Sequence, residues 1–223
     1  MSTLYIIATP IGNLKDITFR AIETLEEADL IIAEDTRQTI KLLNHYEIKK
    51  PLESYHHHSK EDKINYLIKE LGKGKNLALV TDGGTPGIAD PGNLLIEKVL
   101  EKLPDTKIIP IPGPSAVTTL LSISGINTDE FYFLGFLPHK KGRKTKIESL
   151  KDINVPIVIY ESPYRIKKLL KQILEYLGDK EVIIGRELTK KFEETIRGKV
   201  SKILEEEFKI KGEFTLIIKP NHE

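Results

Sequence analysis

Short, wholly apolar runs alternate with stretches of helical period along the first half of the chain. Leu4-Tyr5-Ile6-Ile7-Ala8 predicts a buried strand, and Ala21, Ile22, Leu25 and Ala28 then fall on one face of a helix. Leu30-Ile31-Ile32-Ala33 predicts a second strand, followed by a helix carrying Ile40, Leu42 and Leu43. After a polar stretch, Ser59 is placed to cap a helix presenting Ile64, Leu67, Ile68 and Leu71. Asn76 to Val80 and Lys107 to Ile111 predict further strands, separated by a helix over Asn93 to Leu103, and Ser115 can cap another helix that runs through Leu121. A repeating βα order implies a parallel sheet.

The pattern changes at Gly125-Ile126-Asn127-Thr128-Asp129. Strands are then predicted at Phe131 to Phe136, Val155 to Tyr160, Glu181 to Gly185, Glu193 to Gly198 and Glu213 to Ile218. Helices are predicted at Lys144 to Leu150, Ile166 to Leu177 and Ser201 to Phe208. The expectation is an α/β protein of two α/β domains, 1–127 with a mainly parallel sheet and 128–223 with a mixed one, and a ligand cleft between them.

Two loops rich in glycine and proline, Thr81 to Gly92 and Ile111 to Ser115, each join a strand to a helix. Carboxyl ends of parallel strands open onto a crevice lined by helix N-termini, whose unpaired N–H groups favour polar or anionic ligand atoms. Glycine lets a ligand approach the backbone, and proline limits the entropy lost on binding. Ordinary βα turns use the same residues, but Asp82, Thr85, Asp90 and Ser115 embedded in the two loops point to a site.

Composition narrows the function classes. With 223 residues and a hydrophobic fraction of 39% the chain can bury a proper core. It has no cysteine, which excludes disulfides, thiolate chemistry and Cys-ligated zinc. No segment has the run of about eighteen apolar residues that a membrane-spanning helix requires, and Met1 to Tyr5 opens on a strand rather than a basic, apolar leader, so a cytoplasmic location is expected. The net charge of +1 is unevenly spread: residues 1–127 carry 14 cations and 17 anions, and residues 128–223 carry 20 and 16.

Common motifs are missing. The loop after the first strand reads Thr9-Pro10-Ile11-Gly12-Asn13-Leu14 instead of G-x-G-x-x-G, and no phosphate loop, H-E-x-x-H helix or G-x-S-x-G elbow occurs. His56-His57-His58 could suggest a metal, but side chains of consecutive residues diverge, and a polar surface turn is expected, with no metal. His139 to Lys146 puts five Lys or Arg into the seven positions from 140 to 146, either a solvated face or a phosphate-binding loop. Arg165-Ile166-Lys167-Lys168 reads as an exposed helix face.

Seven blocks, in order, carry a resemblance: Leu4 to Leu14, Ala33-Glu34-Asp35-Thr36-Arg37, Asp82 to Gly92, Pro112 to Ala116, Gly135 to Pro138, Tyr160 to Arg165 and Arg186 to Lys190. In these blocks the chain resembles the tetrapyrrole (corrin/porphyrin) methylase superfamily, S-adenosylmethionine-dependent methyltransferases with two α/β domains. Corrin-modifying members typically show Gly-Asp-Pro where this chain has Thr81-Asp82-Gly83-Gly84, so it looks like the RNA-modifying branch. The resemblance implies 2′-O-methylation of a cytidine in the decoding centre of 16S rRNA, with the small ribosomal subunit as substrate and the enzyme a homodimer. Some relatives extend beyond the position of Lys219-Pro220.

The same resemblance places S-adenosylmethionine against Pro10, Asp82, Gly83, Thr85, Ser115, Ala116, Tyr160 and Leu188. Methyl transfer to a ribose hydroxyl needs a carboxylate or cation beside a poor nucleophile. Glu34, Asp35, Arg37, Glu161, Arg186, Glu187 and Lys190 all sit at strand ends. Glu187 or Asp35 is expected as base or orienter, with Arg186 or Arg37 steering the target phosphate; an ion-pair network is the alternative. Lys140, Lys141, Arg143 and Lys144 are the expected RNA-binding cations. A tetrapyrrole methylase and a non-catalytic RNA-binding assembly factor remain as other functions.

Overall fold

In the computed structural model, which describes residues 2–56, 61–206 and 208–220, β1 (Thr3–Ile7), β2 (Leu30–Ala33), β3 (Leu52–Ser54), β4 (Leu77–Val80) and β5 (Lys107–Ile111) form one sheet. Its order is β3-β2-β4-β1-β5, and all its pairings are parallel. Strict alternation within the apolar runs covers both faces. Leu4, Ile6, Leu30, Ile32, Leu77 and Leu79 pack with α3 (Glu61–Gly72) and α4 (Gly92–Lys102). Their neighbours Ile7, Ile31, Ala33, Ala78 and Val80 pack with α1 (Phe19–Glu27) and α2 (Thr36–His45). A strand buried on both sides has to be apolar at every position, which is why these runs are continuous.

The arrangement fixes where a ligand can bind. β1 feeds α1 on one face while its neighbour β4 feeds α4 on the other, so the two chains part at the carboxyl ends of adjacent strands. That is the switch point of a doubly wound sheet, and the crevice there is open to ligands.

The second unit is built on a mixed sheet: β6 (Tyr132–Phe136), β7 (Ile157–Glu161), β10 (Phe214–Ile218), β8 (Glu181–Arg186) and β9 (Glu194–Lys199), in that order. Only β6 and β7 are parallel. One face packs on α6 (Arg143–Glu148), α7 (Ile166–Leu177) and α8 (Val200–Glu205) through Ile147, Leu169, Leu170, Ile173 and Ile203. The short α5 (Ala116–Ser122) packs with β10, and a side chain at Gly185 would press on Leu120 at 2.9 Å.

That contact moves the division of the chain. The units are Met1–Ser115 and Ala116–Glu223, whereas the composition change suggested a boundary after residue 127. Helix α5 belongs with the second sheet because its apolar side packs there.

Other differences are local. β3 lies within the stretch whose pattern is polar, because it has three residues at the sheet edge with only Leu52 apolar. β7 starts at Ile157 because Pro156 has no N–H and contributes only its carbonyl, to Tyr132 at 2.8 Å. Ser59, His57 and His58 lie outside the described residues.

Candidate active site

The crevice of the first unit is built from main chain. Thr9 and Gly84 exchange both backbone hydrogen bonds at 2.9 Å, which stitches the loop after β1 to the loop after β4. The Thr9 hydroxyl donates to the Thr81 carbonyl at 3.0 Å, and Thr85 reaches the Pro114 carbonyl at 3.5 Å. Three loops are thus tied into one floor. Gly83 lies so close to Pro10 that an added Cβ would stand 3.1 Å from the Pro10 carbonyl oxygen. At Gly113 the same atom would meet the Ala8 side chain at 3.0 Å. These glycines permit close backbone approach.

Carboxylates gather at the adjacent strand ends. Asp82 accepts the Asp35 N–H at 2.9 Å, and Thr81 donates to Glu34 at 2.9 Å. Crowding by the surrounding loops raises the Asp82 carboxyl above its ordinary value, and the nearby Glu34 and Asp35 charges add to the rise. Asp35 is shifted the other way, to about 2, because Arg37 holds it through its guanidinium and its N–H. The pair is bidentate, with Nε to Oδ1 at 2.9 Å and Nη2 to Oδ2 at 2.6 Å. Asp35 also caps α2. Two neighbouring acids are therefore pushed in opposite directions by their different surroundings.

Asp90 closes the long loop. Its Oδ1 accepts the N–H groups of Gly87 at 2.7 Å and Gly92 at 2.8 Å, while Oδ2 is buried without a hydrogen-bond partner. The preceding Ala89 is held at φ 63°, a left-handed conformation costly for a residue with a Cβ. A buried acceptor left over in a strained loop suits a ligand donor.

In the second unit, the loop after β8 bends through two left-handed residues, Glu187 at φ 51° and Thr189 at φ 67°. Burial works against ionisation of Glu187, but the Glu213 N–H and Lys190 outweigh it and hold the carboxyl below its ordinary value. Leu188 is buried and its side chain folds back over Gly185. Arg186 is buried too, bound to Glu194 at 2.8 Å and to the Lys211 carbonyl at 3.3 Å. Tyr160 is half-buried between Phe133 and Phe136, with ring centroids 5.1 and 5.5 Å away.

Two expectations about cations need correction. Arg143 does not face solvent: its side chain is 3% exposed and bound to the fully buried Glu161 at 2.7 Å, with Gln172 at 2.9 Å and the Pro138 carbonyl at 3.3 Å. It anchors the loop whose tip Lys140 and Lys141 expose. Arg165 is likewise no exposed helix face, since it pairs with the other oxygen of Glu161 at 2.7 Å. Lys144 is exposed but lies over the Tyr176 ring at 5.3 Å and near Glu148 at 3.7 Å. Glu161 and Arg165 lie four positions apart across the turn that joins β7 to α7, a local signal for part of the buried Arg–Glu–Arg cluster; Arg143 joins them only through tertiary packing.

Residues 3–204 match the model of the tetrapyrrole (corrin/porphyrin) methylases. The chain belongs to this family. Among curated proteins, this methylase is 49% identical to "Ribosomal RNA small subunit methyltransferase I" of Halalkalibacterium halodurans over 99% of its own length and 77% of that protein's. It is 46% identical to the protein of the same name from Thermotoga maritima, covering 98% of each chain. Among solved structures, a diphthine synthase superposes at a TM-score of 0.76 with 13% identity, over 98% of this chain and 90% of that one. A uroporphyrin-III-C-methyltransferase from Thermus thermophilus superposes at 0.68 with 16% identity, over 97% and 94%. At such identities the structural likeness establishes the methylase fold alone.

Proposed function

We propose that this methylase transfers a methyl group from S-adenosylmethionine to the 2′-hydroxyl of a cytidine in the decoding centre of 16S rRNA, with the small ribosomal subunit as substrate. The observation that carries the reading is the likeness, at 46% identity and across 98% of both chains, to a protein named for methylation of small-subunit ribosomal RNA.

The residues of the crevice fit the donor. S-adenosylmethionine supplies, when bound, a methyl carbon on a sulfonium, carried between an amino-acid end and an adenosine end. Its ammonium, hydroxyl and amino donors match the acceptors Asp82 and Asp90, whose Oδ2 is buried and unpaired. Pro10, Gly83, Thr85 and Ser115 would wall the ligand, and the tight fit at Gly83 keeps that wall backbone-lined. Ala116, Tyr160 and Leu188 complete the proposed set.

Catalysis then needs a carboxylate for the hydroxyl proton and a cation for the flanking phosphate. Glu187, held ionised and below its ordinary value by Lys190 and the Glu213 N–H, is a weak proton acceptor and orients the hydroxyl. Asp35, depressed to about 2, is a weak proton acceptor and acts by orienting Arg37. The Arg37 side chain, 86% exposed, steers the phosphate, and the buried Arg186 holds the start of β9 beside Glu187. Homodimerisation and a cytoplasmic location belong to the same proposal.

Methyl transfer from radiolabelled donor is the test. Label recovered as 2′-O-methylcytidine in small subunits supports the reading; label in a porphyrinoid, or in neither substrate, overturns it.

A further inference from the structure

The carboxyl ends of β6, β7 and β8 and the starts of β9 and β10 form a single row along one edge of the second sheet. Register sets the row: Phe136 lies opposite Tyr160, Glu161 opposite Phe214, Phe214 opposite Arg186 and Arg186 opposite Glu194. Five strands at about 4.8 Å spacing make an edge roughly 19 Å long.

Three exposed rings stand on this row or on the loops leaving it. Phe136 is 56% exposed, Tyr164 95% and Phe192 61%. Exposed lysines accompany them: Lys140 and Lys141 after β6, Lys191 after β8, and Lys211 before β10. Lys191 lies over the Phe192 ring at 5.6 Å.

The acids of the same row are turned to local partners. Glu187 and Glu213 both hold Lys190, Glu194 holds Arg186, and Glu193 accepts the Thr189 N–H. Glu161 is buried between Arg143 and Arg165. Glu193 and Glu213 stay exposed but are each engaged by a neighbouring N–H or ammonium, and the exposed rings and Lys140, Lys141, Lys191 and Lys211 stand beside them.

We propose that this edge is a docking surface for a single-stranded segment of RNA, with Tyr164 and Phe192 stacking on unpaired bases and Lys140, Lys141, Lys191 and Lys211 tracking the phosphates. It rests on the rRNA reading above. Rings favour single strands because an A-form duplex buries its base faces, whereas splayed bases stack on any aromatic. Glu161 pre-organises the surface: Arg143 follows the Lys140–Lys141 loop directly and Arg165 follows Tyr164, so one carboxylate fixes both contact elements. A surface ordered in advance loses less entropy on binding.

The test is a salt series of binding to an unstructured RNA oligonucleotide and to an RNA duplex of equal length. Tyr164→Ala and Phe192→Ala should each weaken single-strand binding about 5- to 100-fold with an unchanged salt slope, and leave duplex binding alone. The double variant Lys140→Ala, Lys141→Ala should flatten the slope by roughly 1.4. S-adenosylmethionine affinity, measured by calorimetry on the same proteins, should match wild type and shows that they are folded. Wild-type affinity and slope in all variants, or equal losses on duplex and single strand, overturn the docking surface. A wild-type chain that methylates small subunits alongside such variants leaves the function standing; one with no affinity for RNA overturns the rRNA reading as well.

Discussion

At the carboxyl ends of β1 and β4 the proposed binding surface is main chain, stitched by the Thr9–Gly84 bridge and kept open by glycines at positions where a Cβ would collide with it. Along the β6–β9 edge of the second sheet it is side chain, with exposed rings and lysines above a buried Arg143–Glu161–Arg165 cluster. A backbone-walled crevice at a switch point suits a small ligand of fixed shape, since its donors and acceptors lose no rotamer entropy. A side-chain edge suits a long flexible polyanion, because charge and stacking tolerate variation in the partner.

The sharpest way to break the contrast is to remove the anchor of the second surface. Glu161→Ala leaves two guanidinium groups without their common carboxylate, and denaturant unfolding should show a loss of about 3–5 kcal/mol. A loss below 1 kcal/mol would mean that the cluster does not organise the second unit.

In the first unit the corresponding change is Gly83→Ala. A Cβ 3.1 Å from the Pro10 carbonyl forces the two loops apart at a cost of about 1–3 kcal/mol. Donor affinity measured by calorimetry should fall at least tenfold, while the Glu161 variant, where it remains folded, should lose RNA affinity first.

Asp82 offers a pH test. Its carboxyl is raised by desolvation and by neighbouring acids, so it protonates at a higher pH than an ordinary aspartate. If the ionised form holds the donor's ammonium, affinity for S-adenosylmethionine declines as pH falls through that raised value. Asp82→Asn should bind weakly at every pH and show no such step. The stability contribution has the opposite sense: burial of an ionised Asp82 is penalised, so this group favours the folded state below its unfolded value and loses that contribution as pH rises through the raised one.

The smallest structural effect is expected at Arg37. Its pair with Asp35 is solvent-exposed, and such pairs contribute little to stability. Arg37→Ala should leave the unfolding midpoint in place yet raise the KM for small subunits, separating a steering role from a structural one.

How far the chain could be read beforehand depended on the type of signal. Strands buried on both faces, such as Leu30–Ala33, and the strongly amphipathic Ile166–Leu177 helix were bounded correctly from their apolar positions. β3 was missed because an edge strand of three residues needs only one apolar side chain, and the first boundary fell late because α5 carries no mark of the sheet it packs on. Within the candidate site, Asp82, Gly83 and Thr85 were visible as a loop of special composition. The lysine run showed five cations alike, but Arg143 is buried and Lys140 is exposed.

Local sequence determined the βα order, the continuous strands, the glycine-walled loops and the excess of cations in the second half. These depend on residue type and on neighbours a few positions away, where backbone sterics and periodicity dominate. Tertiary structure alone decided which loops meet at the β1–β4 switch point, which way Asp35 and Asp82 shift, and which arginine is spent inside the protein. Electrostatics and burial depend on distances between residues remote in the chain, and those distances exist only after the sheets have assembled.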